Sequence, residues 1–490
     1  MNKKVVIIGG GVAGLSAGIY GQKNGYDTEV VEMHTVPGGQ CTAWERKGYR
    51  FDYCLHWLVG TARGPFHDIW RETDVITDSV KIIDHDVHTK IFDEEGNSFI
   101  LYTNIDRWER YLIEIAPEDT ATIKKMCADM RKGALLELFS DPPELRSVLD
   151  YIRAICKMPR AIMLMMRYGN KSCRDYFQKL NFKNKRLSFF FDNLYGERDF
   201  SALAFLMMLG WFYHKNAGYL VGGSLPMVER MTEKYTSLGG KLTLGKKVKN
   251  IIVEDDTATA VALADGTVSK ADYVISAADG HSTLYTMLGG NYLSGQIEEA
   301  YGTWPLFTPI VQVSFGIDME IKTEYPVQTH LAKGRKIGGT PLDMGYTIMN
   351  YCFDPTMAPA GKTVMVVRYE SPWELWKDLE GEAYETEKKQ IEKDSVAIME
   401  KHLPGITAHI DAIDIATPKT DVRYTGVWKG AYEGFMPTSK NITKSIKMTL
   451  PGLKNFYMCG QWLFPGGGLP PAAQSGKWAI QLILKQDKRV

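Results

Sequence analysis

Near its N-terminus the chain runs from a short apolar stretch, Val5-Val6-Ile7-Ile8, straight into Gly9-Gly10-Gly11-Val12-Ala13-Gly14. A buried parallel strand has this form, a continuous apolar run bounded by turn residues. The glycines are spaced G-x-G-x-x-G, and Val12 to Asn24 then reads as a helix. Gly9 permits the tight turn, Gly11 lets the backbone approach a pyrophosphate, and Gly14 lets helix and strand pack closely. The helix N-terminus favours the phosphate charge. Thr28 to Glu32 reads as the second strand of a βαβ unit. Glu32 ends it, about 20 residues on, where a carboxylate takes the ribose hydroxyls of a dinucleotide and disfavours a 2′-phosphate.

Two further segments have the chemistry of a phosphate or cofactor site. Pro37-Gly38-Gly39-Gln40-Cys41 follows Met33 closely, and its paired glycines can turn backbone N–H groups onto a diphosphate. An ordinary turn is the plainer reading of those residues taken alone. At the far end, strand Asn455–Cys459 leads through Gly460-Gln461-Trp462 to Gly466-Gly467-Gly468-Leu469-Pro470-Pro471 and a helix. Prolines suit the first helical turn, where a missing N–H costs nothing. A helix start of this kind can aim its positive dipole at the N1/O2 edge of an isoalloxazine ring, which becomes negative on reduction.

At 490 residues the chain fits two or three domains, and its 44% apolar content supplies a large core. Lys plus Arg equals Asp plus Glu at 58 each, so bulk charge favours no nucleic-acid partner. The seven cysteines are odd in number, widely spaced and without a CxxC pair, which suits a reducing compartment. No Cys/His cluster has metal-ligand spacing, so no metal is expected. The longest uncharged apolar stretch, Phe200 to Tyr213, falls short of the roughly 20 residues that span a bilayer. A cytoplasmic chain without a membrane-spanning helix is expected.

Helices separated by proline and glycine breaks are expected from Pro117 to Tyr219. Strand signals lie at Lys90–Tyr102, Lys241–Leu244, Val248–Val253, Ala260–Leu263, Tyr273–Ser276, Ile310–Phe315 and Thr363–Tyr369, with a charged amphipathic helix at Glu382–His402. Dinucleotide-binding signals at both ends and in the middle require domains built from several segments. The fold class expected is therefore α/β. A three-layer Rossmann-type domain would take residues 1–80, 216–300 and 440–490. A discontinuous α+β substrate domain would take 81–116 and 301–439, with a helical cap over 117–215.

Taken together these motifs resemble the FAD-containing phytoene desaturase, carotenoid isomerase and retinol saturase family, relatives of the flavin amine oxidases. The resemblance extends to Gly48-Tyr49-Arg50-Phe51-Asp52, Gly222-Gly223-Ser224-Leu225-Pro226, Leu238-Gly239-Gly240, Asp265-Gly266 and Ser276-Ala277-Ala278-Asp279. It implies non-covalently bound FAD and redox chemistry at carbon–carbon bonds of a polyene or lipid: desaturation, saturation or isomerisation. By position, Gly9, Gly11, Val12, Ala13, Gly14, Glu32, Met33, Gly38, Gly39, Gln40 and Cys41 would hold the ADP half, with Val248 and Ala277 beside it. Gly460, Gln461, Gly468, Leu469 and Pro470 would border the flavin. The chain departs from the desaturase pattern at Gln40, commonly Arg, and at Cys54-Leu55, where the family commonly reads Gly-Pro. These changes leave the cofactor assignment and loosen the tie to a carotenoid substrate.

His56 is the best acid/base candidate, against the plainer reading of a packed histidine. Gln461 and Trp462 are candidates for the flavin border, with core packing as the alternative. Cys41 and Cys54, 13 residues apart, read as inert thiols rather than a redox dithiol. The methionine-rich stretch Met158–Tyr168, flanked by Lys157, Arg160, Arg167, Lys171 and Arg174, suits a peripheral membrane contact or a lid over a lipid. The segment Phe177–Tyr213 is expected to line an apolar tunnel for a hydrophobic small-molecule substrate. The electron partner is open. A flavin amine oxidase and a non-catalytic lipid-binding protein of the same fold are the two alternative functions.

Overall fold

The computed structural model describes residues 2–133, 140–194 and 199–489. Its central sheet has five parallel strands in the order Lys241–Thr243, Asp27–Val31, Lys4–Ile8, Tyr273–Ser276 and Phe456–Met458. Strands from the beginning, middle and end of the sequence thus share one hydrogen-bonded ladder. Val5, Val6, Ile7, Val274 and Ile275 are fully buried, as expected of a parallel sheet covered on both faces. Helices Val12–Lys23, Ser224–Ser237 and Leu469–Gln486 pack together as one layer. A three-stranded antiparallel meander, Val248–Glu254, Thr257–Leu263 and Val268–Lys270, is the third layer. The α/β class with a parallel sheet holds.

A second sheet has seven strands, in the order Ile410–Ala416, Ile310–Ile317, Thr363–Glu370, Tyr346–Asn350, Val327–His330, Val87–Phe92 and Ser98–Tyr102. Only the pair Val327–His330 with Val87–Phe92 is parallel. Helix Gly381–His402 buries Ile391 and Met399 in a core with Val311, Val313, Phe315, Val367 and Trp376. Strands Val327–His330 and Tyr346–Asn350 carry too many polar residues to alternate clearly, and the sequence reading passed over them.

The helical segment has a core of its own, around Phe99, Trp108, Phe177, Phe190, Phe191 and Phe205. One expectation is corrected here. Phe177, Phe190, Phe191 and Phe205 do not line a tunnel; Phe177 packs on Phe191 and Phe205, Phe191 on Trp108 and Phe190 on Phe99, all essentially without accessible surface. A cap of short helices needs this filling, because each helix alone buries too little apolar area to be stable. Only the last turn of helix Ala202–Tyr213 reaches out of that core, where Phe212 packs on Trp57 at 5.0 Å and on His88 at 4.9 Å.

Candidate functional site

The first turn is built as the glycine pattern requires. Gly9, at φ +98°, donates its N–H to Val31, and Ala277 donates to Ile8, so the turn is clamped between its neighbouring strands. Gly10 donates to Glu32 Oε2 at 2.6 Å, and His34 donates to Glu32 Oε1 at 2.7 Å. Two backbone donors fix the buried carboxylate and leave its remaining lone pairs for a ligand hydroxyl. Gly38 donates to the Gly10 carbonyl at 2.9 Å and sits at φ +125°, which brings Gly38-Gly39 against Gly11. Helix Val12–Lys23 starts at Gly11 with no side-chain cap, so its first-turn N–H groups open on the space beside these glycines.

The C-terminal segment closes the other side. Gly460, at φ +115°, donates to Ser475 Oγ at 2.8 Å. Helix Leu469–Gln486 begins at Gly468 with prolines in its first turn and again no side-chain cap. A Cβ on Gly476 would overlap the Ala13 carbonyl, so this helix lies directly on the first one. Gln461 Nε2 donates to Gln40 Oε1 at 2.9 Å, which ties the two termini of the chain together. Gln40 Nε2 is buried and has no hydrogen-bond partner among the described residues. A buried amide donor left unpaired is costly unless a ligand acceptor meets it.

Between these elements lies a cavity of about 430 Å³. Gly9, Gly11, Val12, Ala13, Glu32, Met33, Gly38, Gly39, Gln40 and Cys41 line it from the N-terminal side, Val248 and Ala277 from the middle, and Gly460, Gln461, Trp462, Gly468 and Leu469 from the C-terminal side. Gly14 and Pro470 frame the cavity without lining it. Two uncapped helix N-termini, a fixed carboxylate and an orphaned amide donor together fit an FAD: anionic in its diphosphate, rich in hydroxyls and acceptors.

Further residues complete the wall, and of these only Asp279 belongs to a family-like segment, Ser276–Asp279. Lys246, Lys247, Asp279, Ser282, the last turns of helix Pro418–Thr425 (Val422, Arg423, Thr425) and the loop Gly426-Val427 that follows it all line the cavity. Asp279 anchors that loop by accepting from Trp428 N at 2.9 Å while it caps Ser282 N at 2.7 Å; burial pushes its carboxyl up to about 6. The loop arrives from a distant part of the sequence, so nothing local predicts it.

His56 does not line the cavity. The Arg368 guanidinium donates to its Nε2, and its Nδ1 lies 3.2 Å from Tyr351 Oη. The Nδ1–H tautomer follows: one nitrogen accepts from Arg368 and the other donates to Tyr351. Burial, with the positive Arg368 beside it, holds the imidazole well below its usual value. Arg368 also donates to the Tyr53 carbonyl and to Gln312 Oε1 at 2.9 Å, so its hydrogen-bonding acceptors are all neutral. Trp462 is buried with one edge to the cavity and the remainder packed on Tyr301 and Phe435.

Glu433 went unnoticed in the sequence. Its carboxyl stands about one van der Waals contact from Gly468, at the start of the C-terminal helix: an ideal Cβ on that glycine would be 3.5 Å from Oε1. Burial pushes Glu433 up to about 7, with Arg368 opposing the shift.

The sequence profile described as flavin-containing amine oxidoreductase matches residues 12–484. Prolycopene isomerase of Daucus carota is 24% identical over 488 residues, covering 96% of this chain and 78% of the isomerase. Phytoene desaturase (neurosporene-forming) of Cereibacter sphaeroides is 22% identical, covering 98% of this chain and 94% of the desaturase. Among solved structures, an oxidoreductase from Methanosarcina mazei superposes with a TM-score of 0.62 at 16% identity, covering 98% of this chain and 100% of that one.

Proposed function

The chain belongs to the family of flavin-containing amine oxidoreductases and is an FAD-dependent oxidoreductase, and from that premise we propose that it acts on carbon–carbon bonds of a hydrophobic polyene by desaturation, saturation or isomerisation. The observation that carries the reading is coverage. Similarity to carotenoid isomerases and desaturases runs through the cofactor segments, the second sheet and the cap alike.

FAD, when bound, accepts or supplies the electron pair of the reaction. We place its diphosphate at Gly11 and Gly38-Gly39, its ribose at Glu32 and its ring system toward Gly460, Gln461 and Gly468. The side chains around the ring end have separate tasks. Gln40 and Gln461 orient the cofactor. The Leu469–Gln486 helix N-terminus favours negative charge beside it. Trp462 supplies apolar surface that excludes water from the reacting carbon. Glu433 holds the proton that leaves or joins that carbon, a role suited to a carboxyl lifted toward neutrality. His56 keeps Arg368 in place rather than carrying a proton itself. Anaerobic stopped-flow mixing of oxidised and reduced enzyme with polyenes, unsaturated lipids and amines tests the reading. Flavin bleaching or reoxidation by polyenes is expected; reaction with amines alone overturns it.

The substrate's origin motivates a membrane contact. No helix among the described residues is long and apolar enough to cross a membrane. Helices Val148–Lys157 and Pro159–Tyr168 nevertheless expose Val148 (76%), Leu149, Ile152, Met163 and Met166 (82%), while Leu164 and Tyr168 face inward. Arg153, Arg167 and Lys171 are exposed beside them; the side chains of Lys157 and Arg160 lie outside the described residues. Apolar side chains ringed by basic ones suit an anionic bilayer surface. Replacing Met163, Met165 and Met166 by Ser is expected to lower co-sedimentation with phosphatidylserine-containing liposomes several-fold. Equal sedimentation of variant and wild type rules the contact out.

A further inference from the structure

We propose that Cys41 and Cys54 form a redox-active dithiol on the wall of the flavin cavity, which closes to a disulfide by passing an electron pair to the bound flavin and reopens by taking one back. The argument begins with a hairpin. Strands Ala43–Arg46 and Tyr49–Asp52 pair antiparallel in the register Arg46↔Tyr49, Glu45↔Arg50, Trp44↔Phe51, Ala43↔Asp52. Beyond the named strands the ladder continues, because Tyr53 N–H donates to the Thr42 carbonyl at 3.2 Å. The next opposed pair is Cys41 with Cys54. The named strands end one step earlier, with Cys41 N–H turned to the Gly38 carbonyl at 3.1 Å and Cys54 N–H to Asp52 Oδ1 at 3.0 Å. A regular continuation past the Thr42–Tyr53 pair would make Cys41–Cys54 a non-hydrogen-bonded pair, with facing Cα atoms about 4.5 Å apart. That separation lies within the range a disulfide spans.

Other contacts hold the two sulfurs in this arrangement. Asp52 Oδ1 accepts from Cys54 N at 3.0 Å and from Ser224 Oγ at 2.7 Å, and the Cys41 thiol rests 4.0 Å from the Ser224 carbonyl. Both cysteines are thus pinned to the same buried Asp52–Ser224 unit. The hydrogen bond to Cys41, then burial and the negative neighbours Asp52 and Glu433, push the Cys54 thiol well up. Cys41 lines the cavity beside Gly39 and Gln40, and Cys54 is half-buried behind it.

The chemistry balances without another reagent. Closing the disulfide breaks two S–H bonds and forms one S–S bond, releasing two electrons and two protons. The electron pair and one proton go to oxidised flavin, and the second proton goes to the carboxylate of Glu433, whose negative charge is felt at Cys54. Reopening reverses each transfer. The couple therefore stores one electron pair beside the cofactor and gives it an internal partner for electrons.

The inference rests on flavin binding, which the colour of the purified protein checks separately. Holoprotein is first oxidised with an excess of a low-molecular-weight disulfide, freed of reagent, and titrated anaerobically with dithionite. Wild type is expected to take up two electron pairs per flavin, and Cys54→Ser one. Peptide mapping of the oxidised wild type under non-reducing conditions is expected to yield a peptide linking Cys41 to Cys54 that reduction splits. Wild type that consumes a single electron pair overturns the proposal, with or without the linked peptide, since thiols that do not exchange with flavin are not its redox partner. If Cys54→Ser fails to fold, the wild-type titration and peptide map decide alone.

Discussion

Gly11→Val protein is expected to fold and to be purified colourless, whereas Gly14→Val is expected not to fold at all. The two glycines belong to one motif but face different neighbours. A Cβ added at Gly11 would meet no protein atom closer than 3.8 Å, the Gly38 carbonyl oxygen, and Gly11 has a φ of −71° that any residue accepts. The first carbon of the valine therefore meets only ordinary contacts in the protein, and the side chain intrudes on the floor of the cavity, where a diphosphate must approach the backbone. A Cβ at Gly14 would overlap the Gly9 carbonyl oxygen, a backbone atom clamped on both sides by the sheet. No side-chain rotation relieves that overlap, and the loss should exceed the roughly 1–3 kcal/mol of ordinary overpacking. The check is a thermal melt with and without added FAD, alongside the flavin absorbance. Wild type should gain about 4 kcal/mol at a thousandfold excess over Kd, and Gly11→Val nothing. A yellow Gly11→Val protein would refute the placement of the diphosphate.

What the sequence shows and hides follows from how local each feature is. The Gly9–Gly14 turn, Glu32 and the Gly468 helix start act through neighbours a few residues away, and their spacing announces them. The helix end and turn at Val422–Val427, Arg368 and Glu433 act only through tertiary contacts, and none has a residue pattern to distinguish it. His56 drew attention as a histidine among aromatics. Which nitrogen is engaged depends on Arg368 and Tyr351, roughly three hundred residues away. The Cys41–Cys54 pair is the instructive case. Its hairpin turns at Lys47-Gly48, both at positive φ, and a two-residue turn fixes the register completely. Counting outward from it pairs the two cysteines. The turn escaped notice because lysine, unlike asparagine or aspartate, rarely takes positive φ and is a weak turn signal. The aromatic cap misled for the opposite reason: composition says that Phe177–Tyr213 is apolar, but not whether it faces a cavity or itself.

Glu433→Gln should become progressively more stable than wild type as pH rises from about 5 to about 7, where the folded carboxyl titrates. Arg368 is a half-buried cation whose hydrogen-bonding acceptors are neutral, and two carboxyls stand near it. Asp421, which accepts from Tyr53 Oη at 2.7 Å, and Glu433 are each pushed up to about 7 by burial, against the pull of Arg368. Both sit above the unfolded values of about 4. A carboxyl raised on folding binds more protons in the native state than in the unfolded chain. Its contribution is fully present below the unfolded pKa and is lost as pH rises through the folded one. The neighbouring histidines act in the opposite sense. His88, brought down to about 4 by burial, and His56 add stability as pH rises toward the unfolded value of about 6.5. The net wild-type curve mixes both signs, so the informative quantity is the difference between Glu433→Gln and wild type. Glutamine cannot ionise, and that difference should grow by up to about 1.4 kcal/mol per pH unit and then level off above pH 7 or so. Asp421→Asn should give a similar curve. Because both carboxyls share Arg368, they titrate as a pair, and the double variant should gain less than the sum. Chemical denaturation of the holoproteins at each pH measures these differences. A difference that stays constant across the window would mean that Glu433 is ionised throughout, and would remove it from the role of proton carrier.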